Sequence, residues 1–210
     1  PAPTGGIFVS IEDMSLSIQN AGSANALACS RGKSDPEISL AIRWSRFENN
    51  PAAAILSQAC NSVTIANSVL TRNAFAVSAT TGAIFVSGGD VSITNTIIAS
   101  SGNNSANNAK GGGAYLENAS GTLNLGTINL AFNTIVDNVC RTTGGNTQNC
   151  NFYSEKDVTM TYSIVTGTKN RISSNITLLN SIVPSDYGTA NNNILSSGSF
   201  PAFVSAAGFD

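Results

Sequence analysis

Histidine is absent from this 210-residue chain, and only 10% of its residues are charged. Without an imidazole, no Ser-His-Asp or Cys-His triad can form. The four cysteines include no CxxC pair, so the usual donor spacing of a zinc site is missing as well. Ten basic residues stand against twelve acidic ones, for a net charge of −2 and a pI near 5.0, and no basic run occurs. The cationic stripe that neutralises phosphates is therefore missing, and nucleic acid is not expected as a partner. No stretch approaches the roughly 18 consecutive apolar residues of a membrane helix, so no membrane insertion is expected. The opening PAPTGG (1–6) lacks the basic and apolar regions of a signal peptide. It reads as a linker or a processed terminus of a longer natural product. Neither GxSxG nor a Walker pattern occurs, since GGG at 111–113 is not followed by Lys-Ser/Thr.

What is present points to β structure. Apolar residues make up 41% of the chain and mean hydropathy is +0.08, as in a folded protein. Charge falls well below the usual quarter, so Ser, Thr, Asn and Gly must cover the surface, and these residues favour turns and strand faces. The length suits one domain, taken as 7–210. Cys29, Cys60, Cys140 and Cys150 form an even set, which fits an oxidising, extracellular compartment but allows three pairings. Cys140 with Cys150 across CRTTGGNTQNC, and Cys29 with Cys60, is the preferred arrangement, with free thiols as the alternative. Sequons at Asn103, Asn118 and Asn175 matter only in a glycosylating host.

The segment VTIANSVLTRN from Val63 recurs. Similar segments start at Leu40, Val91, Ile128, Val158 and Ile176, with a degenerate copy from Met14. Positions one and three are apolar, which is the period of a strand with one buried face. Position six is Ser, Thr, Asn or Gln, position eight is apolar in all but the first copy, and position eleven is mostly small and polar. Upstream lie apolar bursts entered through small residues: GGIFV, AAAIL, TGAIFV, GGGAYL and NFY. Strand, turn, strand, corner, strand is one coil of a single-stranded parallel β-helix. About seven coils at about 4.8 Å each make a rod roughly 35 Å long. Position five holds Trp44, Asn67, Asn95, Phe132, Tyr162 and Asn180. These residues are expected to stack as a core ladder, with Phe132 touching Tyr162.

GGGAYL with INLAFNTIVDN, and TGAIFV with VSITNTIIASS, resemble the repeats of right-handed parallel β-helix proteins of bacterial cell surfaces. These are the choice-of-anchor Q or polymorphic-outer-membrane-like proteins. The resemblance covers nearly the whole chain and extends loosely to the closing NNNILSSGSFPAFVSAAGFD. It implies an all-β, right-handed solenoid of pectate-lyase-like fold, attached to a cell surface or secreted.

The enzymes that share such a fold set a test. The acidic residues stand singly apart from Glu12 with Asp13, and the NTD, DD and GHG pattern of polygalacturonases is missing. Asp90, Asp157 and Asn175 precede position one in their copies. An intervening coil separates the two aspartates by about 10 Å, too far to share a calcium ion at about 2.4 Å, so both read as turn residues. Arg43, Arg46 and Arg72 could converge on one face to hold an acidic sugar; otherwise they pair with Glu48 or solvate an edge. No catalytic residue, metal site or cofactor is assigned, and calcium would enter only with a lyase. The expectation is a non-enzymatic extracellular structural or adhesive protein, whose partner is a cell-surface or matrix component such as a polysaccharide. Loops 100–113 and 138–150 are its expected contact regions. The alternatives are a polysaccharide-binding or polysaccharide-degrading β-helix, and a homo-oligomer assembling end to end as a filament or as a trimeric spike. The apolar tail with Phe200, Phe203 and Phe209 is expected to cap one end.

Overall fold

Alternating apolar and small polar residues, repeated from one segment to the next, bury positions one and three of most copies and leave most residues at positions two and four partly or fully exposed. In the computed structural model, Leu40, Ile42, Val63, Ile65, Val91, Ile93, Met160 and Leu178 are each at most 3% exposed. The structure describes residues 6–17, 25–32, 35–76, 82–102, 111–119, 123–140, 142–143, 146–147, 151–166, 175–184 and 190–196. Residues 1–5, most of loop 100–113, six residues of loop 138–150, and the tail from 197 lie outside them, so expectations placed on those residues have no structural counterpart.

Three sheets contain most of the strands, and every pairing within them is parallel. The first sheet runs Ile7–Glu12, Ile38–Arg43, Ser62–Ala66, Gly89–Thr94, Leu125–Ala131, Val158–Thr161, Ile176–Leu179. The second has eight short strands, from Ser15–Ser17 and Arg46–Glu48 to Ile182–Pro184 and Ile194–Ser196. The third has five, from Leu27–Ser30 and Ile55–Gln58 through Ile84–Ser87 and Ala114–Glu117 to Phe152–Ser154. From Ile7–Glu12 to Ile164–Val165 the chain visits the three sheets in the same order each time, and each strand pairs with its counterpart one repeat later. After that, among the described residues, Ile176–Leu179 follows with no third-sheet strand before it, and Ile194–Ser196 follows Ile182–Pro184 within the second sheet. This arrangement is consistent with a parallel β-helix. A two-residue antiparallel pairing, Thr142–Thr143 with Asn146–Thr147, stands apart. The one 3-10 turn described is Ala190–Asn192.

Register corrects the repeat boundaries at the N-terminal end. Val9 aligns with Leu40 and Ile11 with Ile42, while Leu16 aligns with Phe47. The first copy therefore starts at Val9, not Met14. GGIFV belongs to its first-sheet strand rather than to an upstream burst. Asp13 and Met14 fill positions five and six there, which disguises the motif. The upstream strand of the second copy is Leu27–Ser30, whose ALACS carries no glycine signal. Successive copies are offset by 31, 23, 28, 37, 30 and 18 residues.

Two polar columns run through the interior. At position six, Ser45, Ser68, Thr96, Asn133, Ser163 and Ser181 are each at most 2% exposed. The Ser45 amide donates to Ser68 Oγ at 3.2 Å, Thr96 to Asn133 Oδ1 at 3.1 Å, Asn133 to Ser163 Oγ at 3.1 Å and Ser163 to Ser181 Oγ at 3.0 Å. Asn193 continues the column by accepting from the Ser181 amide at 3.0 Å. At position eleven, Asn50, Asn73, Ser101 and Asn138, followed by Asn151, are all fully buried and bonded in the same way. The cause is geometric. A corner interrupts the strand ladder and leaves an inward amide without a backbone partner, and a buried amide must find an acceptor. A small side chain from the next repeat supplies one.

The two ends differ. Inward-facing Ile176 and Leu178 of the last first-sheet strand are 3% and 1% exposed, whereas Ile7 and Val9 of the first are 49% and 39% exposed. The Cys29–Cys60 disulfide joins the first strand of the third sheet to the residue two past the end of the second, Ile55–Gln58. Cys140 is also disulfide-bonded and 1% exposed; Cys150 lies outside the described residues.

Candidate functional site

The corners set which side chains face outward. Position five adopts positive φ in every copy: Asp13, Trp44, Asn67, Asn95, Phe132, Tyr162 and Asn180 lie between 47° and 59°. A left-handed residue breaks the in-out alternation of a strand, so position five points outward and position six points in. The six residues expected as a core ladder therefore stand on the exterior, with Trp44, Phe132 and Tyr162 at 61%, 60% and 55% exposure. Two pairs of them meet along the column. Asn95 Nδ2 donates to Asn67 Oδ1 at 2.7 Å, and the Phe132 and Tyr162 rings stack 5.3 Å apart. Asparagine tolerates this backbone, whereas for a bulky aromatic it is a strained exception. Among the described residues Trp44 has no ring partner.

Position ten forms a second left-handed corner at Asn49, Arg72, Ser100 and Asp137. Asn49, Arg72 and Ser100 line an open groove of about 490 Å³ together with Phe75, which is 48% exposed. Phe75 escaped sequence reasoning because it lies past position eleven, where the repeat carries no pattern. The three arginines occupy positions four, seven and ten of their copies, and Arg46 and Arg72 both act on Glu48. Arg43 pairs with Glu12 at 3.3 Å and Arg46 with Glu48 at 2.7 Å, while Arg72 makes no ion pair among the described residues. The hydrogen bond from Arg46 holds the Glu48 carboxyl below its usual range, against a smaller opposing desolvation.

Asp90 has a local task. The first sheet bulges where Gly89 pairs with Leu125 but Val91 with Ile128. Asp90 Oδ1 accepts the Thr127 amide there at 2.6 Å. A Cβ on Gly126 would sit 2.1 Å from that oxygen, so glycine lets the carboxylate reach the bulge. Asp90 also edges a shallow hydroxyl-lined groove of about 310 Å³ with Thr64, Ser92, Thr127 and Asn129. No group of three or more Cys, Asp or Glu able to hold an ion occurs among the described residues.

On the outer face of the third sheet, Phe85, Tyr115 and Tyr153 align in register and meet edge to face at 5.3 and 5.1 Å. Burial pushes the Tyr115 hydroxyl above its ordinary range, and a hydrogen bond with Glu117 adds to the shift. A raised folded-state value favours the native state below the unfolded tyrosine value of about 10, and that advantage is lost as pH rises beyond it. Urea midpoints are therefore expected to fall between pH 9 and 11, and to fall less steeply in Tyr115→Phe. Equal slopes in both proteins would remove Tyr115 as the cause.

The geometry defines an all-β protein of three parallel sheets that presents two left-handed corner columns to solvent. Comparison with protein families, with curated proteins and with solved structures finds no match. Among the described residues, no helix is long and apolar enough to cross a membrane.

Proposed function

We propose that the three sheets wind into a right-handed parallel β-helix of about seven coils. This helix serves as a non-enzymatic structural and adhesive segment of a bacterial protein that is secreted or held at the cell surface. The likeness of GGGAYL and INLAFNTIVDN to the choice-of-anchor Q repeats supports the winding and the setting, and the Cys29–Cys60 disulfide suits an oxidising compartment.

The observation that carries the adhesive reading is the outward aromatic set at position five. Trp44 is 61% exposed at φ 53°, where asparagine fills the same corner in the next two copies at lower backbone cost. The ring therefore gains little from folding, and contact with a partner is what repays its strain. Two measurements on one variant test this. Trp44→Asn is expected to raise stability by about 1 kcal/mol and to weaken retention on envelope or matrix polysaccharide several-fold. Loss of stability with unchanged retention would make Trp44 a packing residue and remove the reading. The same polysaccharides, incubated with and without calcium, are expected to be bound without release of cleaved product. Release of unsaturated sugar ends would overturn the non-enzymatic assignment.

A further inference from the structure

We propose that the groove of Asn49, Arg72, Phe75 and Ser100 is a subsite for one anionic residue of a saccharide chain, either a carboxylate or a sulfate ester. This rests on the adhesive reading and supplies it with a ligand chemistry. Asn49, Arg72 and Ser100 are equivalent corner residues of three consecutive repeats. They are fixed by backbone bonds from their amides to Thr71 O at 3.2 Å, Ala99 O at 3.1 Å and Val136 O at 3.1 Å. Successive repeats lie about 4.8 Å apart, so an amide, a guanidinium and a hydroxyl project side by side over roughly 10 Å. The Phe75 backbone is pinned on both sides. The Ala74 amide donates to Asn50 O at 2.8 Å and Ala52 O at 2.9 Å, and the Ala76 amide donates to Pro51 O at 3.0 Å. The half-exposed ring is thus held at the groove before any ligand arrives.

The charges around it favour an anion. Glu48, whose carboxylate interacts with Arg72, is already bonded by Arg46 at 2.7 Å and by the Thr71 hydroxyl at 2.8 Å. The pair Arg46–Glu48 is close to neutral, and Arg72 makes no ion pair among the described residues. Asp137 occupies the same corner one repeat beyond Ser100 and bounds the cationic region on that side. A guanidinium fork matches a carboxylate or sulfate. The Phe75 ring offers an apolar face to sugar C–H groups, and Asn49 and Ser100 offer hydrogen bonds to hydroxyls. An anion bound to a bare arginine would need neither the ring nor the flanking polar pair, and their presence in one groove selects a saccharide.

The test uses the whole chain and titrates oligoglucuronate, its methyl ester, a sulfated galacto-oligosaccharide and the unsulfated form by calorimetry. Arg72→Asn removes the charge while keeping a residue suited to positive φ, Arg72→Lys keeps the charge without the fork, and Phe75→Ala removes the ring. At least one anionic oligosaccharide is expected to bind. Its neutral counterpart and Arg72→Asn should each lose about ten- to a hundred-fold in affinity, with smaller losses for Arg72→Lys and Phe75→Ala. Whether the uronate or the sulfate ester binds identifies the anionic group. Equal affinity for charged and neutral forms, unchanged affinity in Arg72→Asn, or no binding of either anion at millimolar concentration overturns the subsite. Retention that depends on Trp44 would survive that result, so the two readings fail separately.

Discussion

Asn138→Ala is expected to lower the unfolding free energy by about 4 kcal/mol, through the cost of leaving buried polar groups unpaired. Asn138 is fully buried at position eleven. Its Oδ1 accepts the Ser101 amide at 3.0 Å, and its Nδ2 donates to Ile98 O at 3.0 Å and to Asn151 Oδ1 at 3.1 Å. Truncation strands a donor and a carbonyl inside the apolar core, where water cannot replace the lost partner. Asn138→Ser should cost less, because Ser101 fills the equivalent position one repeat earlier by bonding through its hydroxyl. Asn129→Ala, on the outer face, should change stability by less than about 0.5 kcal/mol. Urea unfolding followed by circular dichroism measures all three. A cost below about 1 kcal/mol for Asn138→Ala would mean that the column is incidental to the fold.

The paired substitution Cys29→Ala with Cys60→Ala is expected to cost about 4 kcal/mol, from the loop-closure entropy of a cross-link spanning 31 residues. The placement sharpens the expectation. The bond ties Leu27–Ser30 to the turn just after Ile55–Gln58, next to the end where Ile7 and Val9 remain open. Without the link, the first repeat keeps few buried contacts on one side, so amide exchange should accelerate there first. Uniform acceleration along the chain would instead indicate a general loss of stability with no local role for the disulfide. Core columns further along, such as Ile93 with Leu130, should then be protected to the same degree as Ile11.

Most of the frame was legible in the sequence because a period of two survives in each copy. Val63, Ile65 and their equivalents placed the first sheet, and the upstream apolar bursts placed four of the five strands of the third. The inside and outside of the corner were harder. Carrying the alternation from positions one and three onward puts position five in the core, where Trp44 and Phe132 would be comfortable. The left-handed turn shifts the phase by one residue, and the sequence did hold that clue. An inward position eight, occupied by Phe47, Leu70, Ile98 and Ile135, requires position six rather than five to face inward. Small hydroxyl and amide residues at six mark the buried capping column. The groove at Arg72 was only half legible. The arginine could be picked out, but its partner Phe75 lies in an irregular connection whose position depends on backbone bonds to Asn50, Pro51 and Ala52. No periodicity encodes these.

The unequal repeat lengths also determine how the molecule would respond to force. Copies are offset by 18 to 37 residues, so each repeat stores a different length of hidden chain. Pulled from its two ends, the protein should yield in discrete steps as successive ladders shear. Each step should release about 60 to 130 Å at roughly 3.5 Å per residue. The segment between Cys29 and Cys60 is withheld from extension while that bond is intact. A tether built this way lengthens under load before it detaches, and its sawtooth of unequal spacings would identify which repeat had opened.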